Sequence, residues 1–394
     1  MRTVGTVVRG IRTPIIKEKD ELAKIVVDSV LKASEAESFS IKDKDIIGIT
    51  EAVLAISEAN YATVDDVAAD ISKKYPDGEV GIVFPTPVSR NRFAIILKGI
   101  ARASKKIYLQ LSFPKDEVGN SLFDEELLEK NNIKITDTLD EEKYVKIFGK
   151  ETHIFTGVNY YEYFKELVEA EDCKIEFIFS NDPLEILNFT KNILVAAVHS
   201  RFKLKTLFRD KAEILYGVDD ILKTSHNGSG YHEEYGLLGS NKATEERLKL
   251  FPRTGKDFVK KIQDEMYNKT KKKLEVLIYG DGAFKDPVGQ IWELADPVVS
   301  PAYTDGLKGT PNELKLKYLS DNKFKDLKGE ALNQALKEEI KNKAKDLKAS
   351  MSSQGTTPRQ LTDLIGSLCD LTSGSGDKGT PVVYIQGYFD SYSD

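Results

Sequence analysis

Hydrophobic positions recur along this chain in two rhythms. Thr3 to Val8 reads as a short strand, Pro14 marks a turn, and Leu22, Ile25, Val26 and Val30 fall on one face of a helix that Asp20 is placed to cap. The charged turn Lys42 to Asp45 leads into Ile46-Ile47-Gly48-Ile49-Thr50, a β-branched run that predicts a buried strand. From about residue 80 the pattern changes to apolar runs, Gly81 to Phe84, Ile107 to Phe113, Lys174 to Phe179 and Ile193 to Val198, each followed by a polar helical stretch. That alternation predicts a parallel sheet. The runs end in Pro85-Thr86-Pro87, Ser112-Phe113-Pro114, Ser180-Asn181-Asp182-Pro183 and His199-Ser200-Arg201, at the edge where open α/β sheets take ligands.

Residues 225 to 241 form a connection rich in Gly, Ser and His, and loops of that length are usually functional or disordered. Leu274 to Tyr279 predicts a further strand. Between 321 and 348, eight lysines and six acidic residues surround Leu332, Leu336, Ile340 and Leu347, the signature of an amphipathic helix. The C-terminal part predicts a helix from Arg359 to Leu371, a loop from Thr372 to Thr380 and a strand from Pro381 to Gln386, and no internal repeat is present.

With 394 residues the chain has room for two or three folding units, and its 40% hydrophobic and 30% charged residues are those of a globular protein. The longest apolar run, Ile193 to Val198, is far below the roughly 20 residues that span a bilayer. Arg2, Arg9 and Arg12 interrupt Val4, Val7 and Val8, which leaves no continuous leader, so the expectation is a cytoplasmic protein. Cys173 and Cys369 have no paired spacing and read as small buried hydrophobes. A net charge of −6 gives no attraction to nucleic acid phosphates and favours small-molecule partners.

Three blocks in order carry a resemblance. The first is Gly10-Ile11-Arg12-Thr13-Pro14-Ile15-Ile16 through Leu22, continuing in Asp43 to Thr50. The second joins Gly236-Leu237-Leu238-Gly239-Ser240-Asn241, Leu250-Phe251-Pro252-Arg253 and Glu275 to Pro287 around Asp281. The third is Leu361 to Gly387 with Gly374-Ser375-Gly376-Asp377-Lys378-Gly379. Together they resemble the coenzyme F420:L-glutamate ligase, or gamma-glutamyl ligase, family. The resemblance implies a mixed α/β (α+β) fold. Its ligase-type domain would comprise residues 1–75 and 225–394, with an extra helical insertion at about 306–348, and be interrupted by an inserted α/β segment, 76–224, with a mostly parallel sheet.

Members of that family join glutamate to a carboxylate through an acyl phosphate formed at the expense of GTP, so the resemblance implies GTP or ATP, a divalent cation (Mg or Mn) and a homodimer. Phosphoryl transfer needs phosphates positioned and their charge neutralised, and oxygen ligands suit these cations. By the resemblance, Thr13, Pro14, Ile15, Ile16, Asn241 and Gly374, Ser375, Gly376, Asp377, Lys378 and Gly379 contact the nucleotide and Asp281 and Ser375 hold the metal, with Glu234 as a third candidate ligand. Leu238 stands where the family has a second metal-binding aspartate, with Glu233 or Glu234 as replacements. Ile56 stands where it has a lysine, with Arg90, Arg92 or Lys285 as substitute cations. Asn241 also reads as a helix cap before Lys242 to Leu248.

Of the histidines, His226 and His232 share the Gly-rich connection, and His232 is the candidate general base for the attacking amine. The loop 374–379 fits the letter of a dinucleotide fingerprint, but it follows a helix and precedes a strand, the reverse of what that fingerprint requires. The expected function is amide ligation of L-glutamate to a carboxylate acceptor, with two alternatives: a nucleotide- or metabolite-binding protein that has lost turnover, and a folate-like polyglutamate ligase.

Overall fold

The computed structural model describes residues 3–84, 90–116, 121–153, 156–197, 200–280, 283–285, 292–294, 299–347, 350–353, 360–373 and 376–393, the side chains of 90–92, 283–285, 292–294 and 299 excepted. The fold is mixed α/β, as expected, and divides into two compact units. The first comprises 1–54, 254–282 and 297–394, the second 55–253 and 283–296.

In the first unit a five-stranded sheet runs in the order Val7–Ile11, Val382–Gln386, Ile46–Thr50, Glu275–Gly280, Val299–Tyr303. The central pair, Ile46–Thr50 with Glu275–Gly280, is parallel, with Thr50 opposite Tyr279, and the other pairs are antiparallel. Because side chains alternate across a strand, each strand feeds two cores. Ile47, Ile49, Val276, Ile278, Val382 and Tyr384 meet the helices Leu22–Ala36 and Gly255–Thr270 through Val26, Val30, Val259 and Ile262. On the other face Ile46, Leu277, Tyr279, Val383 and Ile385 meet Ile365 and Cys369 of the helix Leu361–Ser373. Gly48 lies on that second face, where a methyl would run into Cys369 Sγ, so the β-branched run is broken by glycine at the point of closest approach. Burial pushes the Cys369 thiol far above its ordinary pKa, which keeps it a neutral core group.

The predicted helix over Leu22 to Val30 forms, but Asp20 does not cap it. Glu21 occupies the N-cap without a side-chain bond, and Asp20 Oδ2 instead accepts from Lys17 N–H at 2.7 Å, closing the preceding turn. The first strand is Val7–Ile11, later than predicted, because its partner Val382–Gln386 sets the register with Val7 opposite Gln386. The amphipathic stretch 321–348 is broken into short pieces, of which Gly329–Lys341 is the longest.

The second unit holds a six-stranded sheet ordered Leu139–Asp140, Lys174–Phe179, Lys106–Leu111, Glu79–Phe84, Asn192–Val195, Ile214–Gly217. All pairs are parallel except the one made by Leu139–Asp140 at the edge. The parallel sheet read from the alternation is therefore present. Taken in chain order, the five parallel strands lie in the order third, second, first, fourth, fifth, so the chain reverses direction across the sheet between Glu79–Phe84 and Asn192–Val195. Helices Val64–Lys74, Arg90–Ala103 and Tyr160–Glu169 cover one face with Val67, Ile71, Ile96, Leu97, Ile100 and Phe164. Val83, Ile178, Ile193 and Val195 face Ile186, Leu204 and Phe208 on the other.

Candidate functional site

In the first unit, the N-terminal turn and the C-terminal glycine-rich loop meet. Thr13 N–H donates to the Gly379 carbonyl at 3.3 Å, and Gly379 adopts a positive φ of 65° that only glycine takes readily. Thr380 seats the loop: its hydroxyl donates to the Ser373 carbonyl at 2.7 Å, tying the end of the helix Leu361–Ser373 to the start of the last strand. Gly10 lets the two segments approach, since a methyl there would stand 3.1 Å from Thr380 Cβ. Lys378 ends a short turn of helix, Gly376–Lys378, and is exposed along with Gly376, Asp377 and Gly379.

Beside this junction lies a cavity of about 930 Å³, bordered by Arg9, Arg12, Thr13, Lys32, Lys378 and Thr380 among others. Pro14 also borders it, whereas Ile15 is 83% exposed and Ile16 packs on the core behind. Arg9 is the unusual member. Its guanidinium stacks 4.3 Å from the centre of the Phe39 ring, and its Nη1 is buried with no hydrogen-bond partner among the described residues. A buried donor left unmet costs about 1–3 kcal/mol, so an anion reaching it would be favoured. Asp28 on the same wall is already neutralised by Lys24 at 3.0 Å and Lys269 at 2.9 Å, whose hydrogen bonds hold its carboxyl down at about 2.

At the end of the parallel strand pair stands a carboxylate that the sequence expectations do not assign to the site. Glu51 directly follows Ile46–Thr50, is 4% exposed, and accepts from the Thr50 hydroxyl at 3.1 Å. A methyl on Gly280 would come within 2.5 Å of Glu51 Oε2, so the carboxylate lies against the last residue of Glu275–Gly280. Asp281, the expected metal ligand, is the next residue in sequence and lies outside the described residues, as do Gly374 and Ser375. Among the described residues no group of three or more His, Cys, Asp and Glu is arranged to hold a metal ion. The substitute cations Arg90, Arg92 and Lys285 have side chains outside the described set.

His232, Glu234 and Asn241 belong to the second unit. His232 is 8% exposed, and its Nδ1 accepts from the backbone N–H groups of Glu234 at 3.2 Å and Tyr235 at 3.1 Å. Burial lowers its pKa, opposed by nearby Glu233 and Glu234. The ring is thus held neutral, closing the turn 232–235. Glu234 is exposed. Asn241 does not cap a helix: it begins the strand Asn241–Thr244, which pairs with Arg247–Lys249, itself paired to Tyr61–Thr63. The hairpin wins because alternation buries Leu248 and Leu250 while Lys242 and Glu245 pair across its turn. His226 is also occupied, 3.1 Å from Asp70 and 3.0 Å from Lys73 Nζ, and His199 lies outside the described residues.

For Arg9 and Glu51 the sequence carries one signal, which marks them as unusual without placing them at a site. Each is a charged residue set in or directly after a strand whose neighbours are apolar. No helix among the described residues is long and apolar enough to cross a membrane. Compared with known proteins, the chain matches the family model described as F420-0:Gamma-glutamyl ligase over residues 10–387. No curated protein matches it.

Proposed function

The chain belongs to the F420-0:gamma-glutamyl ligase family, and on that premise we propose that it is a nucleotide- and divalent-metal-dependent ligase adding L-glutamate to a carboxylate acceptor through an acyl phosphate. The observation that supports this most is the cavity beside the Thr13–Gly379 junction, where Arg9, Arg12, Lys32 and Lys378 border one space and Arg9 Nη1 has an unmet donor. In this reading the triphosphate of GTP or ATP enters that space. Thr13 and Pro14 border that space and, with Ile15, Ile16 and the loop 374–379, are assigned to contacting the nucleotide, while Arg9 and Lys378 spread the charge of the terminal phosphate.

An acceptor carboxylate oxygen attacks the terminal phosphorus, the phosphoanhydride bond breaks, and the nucleoside diphosphate leaves. The glutamate amine then attacks the acyl carbon, the amide forms, and inorganic phosphate leaves with the proton going to solvent. Glu51, Asp281 and Ser375 would hold the cation, which supplies charge neutralisation for the phosphates. His232 is assigned to holding its turn and not to the chemistry. The partners are small molecules and a second copy of the chain in the cytoplasm.

A second reading, a fold that binds nucleotide without turnover, is favoured by the half-buried Leu238 and Ile56 at positions where carboxylate and ammonium groups would serve catalysis. Calorimetric titration of GTP and ATP with Mg tests the shared part of both. Binding is expected, weakened about tenfold or more by Arg9→Met and by Lys378→Ala. No binding, or binding unchanged in both variants, removes the cavity from the reading.

A further inference from the structure

The C-terminal edge of the parallel sheet in the second unit carries a cavity that the ligase reading does not use. Its volume is about 450 Å³, within the roughly 300–1,000 Å³ usual for small-molecule sites. It sits over the ends of the first, second and third parallel strands, marked by Val83, Ser112 and Ser180, and against the helix Arg201–Phe208 that follows the fourth strand. This is the place where the strand order reverses, and doubly wound sheets bind their ligands at that crevice.

One wall is built and saturated. Gln110, 3% exposed, donates from Nε2 to the Asp182 carbonyl at 2.7 Å and the Ser180 carbonyl at 3.2 Å, and its Oε1 accepts from Ile186 N–H at 2.9 Å. Asn181 bonds Phe113 through both backbone groups, at 2.7 and 3.2 Å. Polar side chains so engaged fix the wall and leave nothing to offer a ligand. The groups with capacity to spare are the hydroxyls of Ser112 and Ser200 and the ammonium of Lys203, which border the cavity and have no hydrogen bond or ion pair from their side chains among the described residues. Val83, Pro183, Leu204 and Leu207 supply the apolar remainder.

We propose that this cavity binds a small organic monocarboxylate with an apolar body, the body against Leu204 and Leu207 and the carboxylate on Lys203, Ser112 and Ser200. One ammonium and two neutral hydroxyls balance a single negative charge, whereas a phosphomonoester carries nearly two at neutral pH. A dinucleotide is disfavoured by sequence: the residues that follow the first strand read Pro85-Thr86-Pro87-Val88-Ser89, without a glycine for pyrophosphate to approach. The proposal does not rest on the ligase reading, since every bordering residue belongs to the second unit.

Saturation-transfer NMR followed by calorimetry on the full chain tests it, with phenylacetate, 3-phenylpropionate and indole-3-acetate as probes, their primary amides as matched neutral controls, and NAD as a dinucleotide control. At least one carboxylate is expected to bind about tenfold or more tightly than its amide. Lys203→Met, at an exposed position, should erase that preference, and Leu207→Trp should abolish binding by filling the space, with circular dichroism reporting that both variants fold. The proposal is overturned if no carboxylate binds, if the amides bind equally well, if Lys203→Met leaves the preference intact, or if NAD binds and displaces the probes.

Discussion

His232 illustrates what a residue type implies and what its neighbours decide. In sequence, a histidine in a Gly-rich connection is a natural candidate base, but the fold uses its Nδ1 lone pair to accept two backbone N–H groups. Protonation would destroy that acceptor, and burial already disfavours the charged ring. The folded pKa lies below the ordinary 6.5, so on acidification the unfolded chain takes the proton first. Stability contributed by the neutral ring is present above about 6.5 and lost as pH falls through the folded value. Urea unfolding of wild type and His232→Asn from pH 7.5 to 5 should show a steeper fall for wild type; parallel curves would mean the ring is not held neutral. Arg9 shows the converse. Sequence reading used it only as an interruption in an apolar leader, while its buried, unmet Nη1 beside a cavity is visible only once Phe39 and the Gly10–Thr380 approach are in place.

At the scale of elements, apolar runs placed the strands they predicted to within a few residues, because a run such as Ile46–Thr50 is buried through Ile49 on both faces, whereas short strands such as Tyr61–Thr63, Ile214–Gly217 and Arg247–Lys249 carry no long apolar run and escaped the pattern. Ends were harder to place, since caps depend on which side chain actually reaches a free N–H. Asp20 failed as a cap and Asn241 began a strand, but Thr63, unremarked in sequence, closes a capping box at the start of Val64–Lys74. Its hydroxyl accepts from Asp66 N–H at 3.1 Å and Asp66 Oδ2 accepts from Thr63 N–H at 2.7 Å. That helix packs closely on Arg90–Ala103, where a methyl on Gly99 would meet Val67 Cγ1 at 2.5 Å, so fraying at its start would loosen a helix–helix contact. Thr63→Ala should cost about 1 kcal/mol of stability by chemical denaturation, whereas Thr63→Asp, which keeps an acceptor, should cost much less. Equal losses for both would mean the hydroxyl does not cap.

For the whole molecule, pattern alone predicts strands and helices with a parallel sheet in the middle, because alternating strand and helix periods survive whatever the function, and the resemblance adds the mixed α/β class. The candidate site was only partly legible. The junction of Thr13 with Gly379 brings together residues separated by most of the chain, and only the resemblance of ordered blocks pointed to it. No local period encodes Glu51 lying against Gly280, a meeting created by the parallel pairing of Ile46–Thr50 with Glu275–Gly280. The central claim is that this chain forms an amide between L-glutamate and a carboxylate at the expense of a nucleotide. Mass spectrometry of purified protein incubated with F420-0, L-glutamate, Mg or Mn, and GTP or ATP tests it most directly. A ligase yields acceptor heavier by one glutamyl residue together with nucleoside diphosphate and phosphate in equal amounts, and Asp281→Asn loses that product. Nucleotide and metal binding without any glutamyl product, from F420-0 or from a folate-type or extracted carboxylate acceptor, would contradict it.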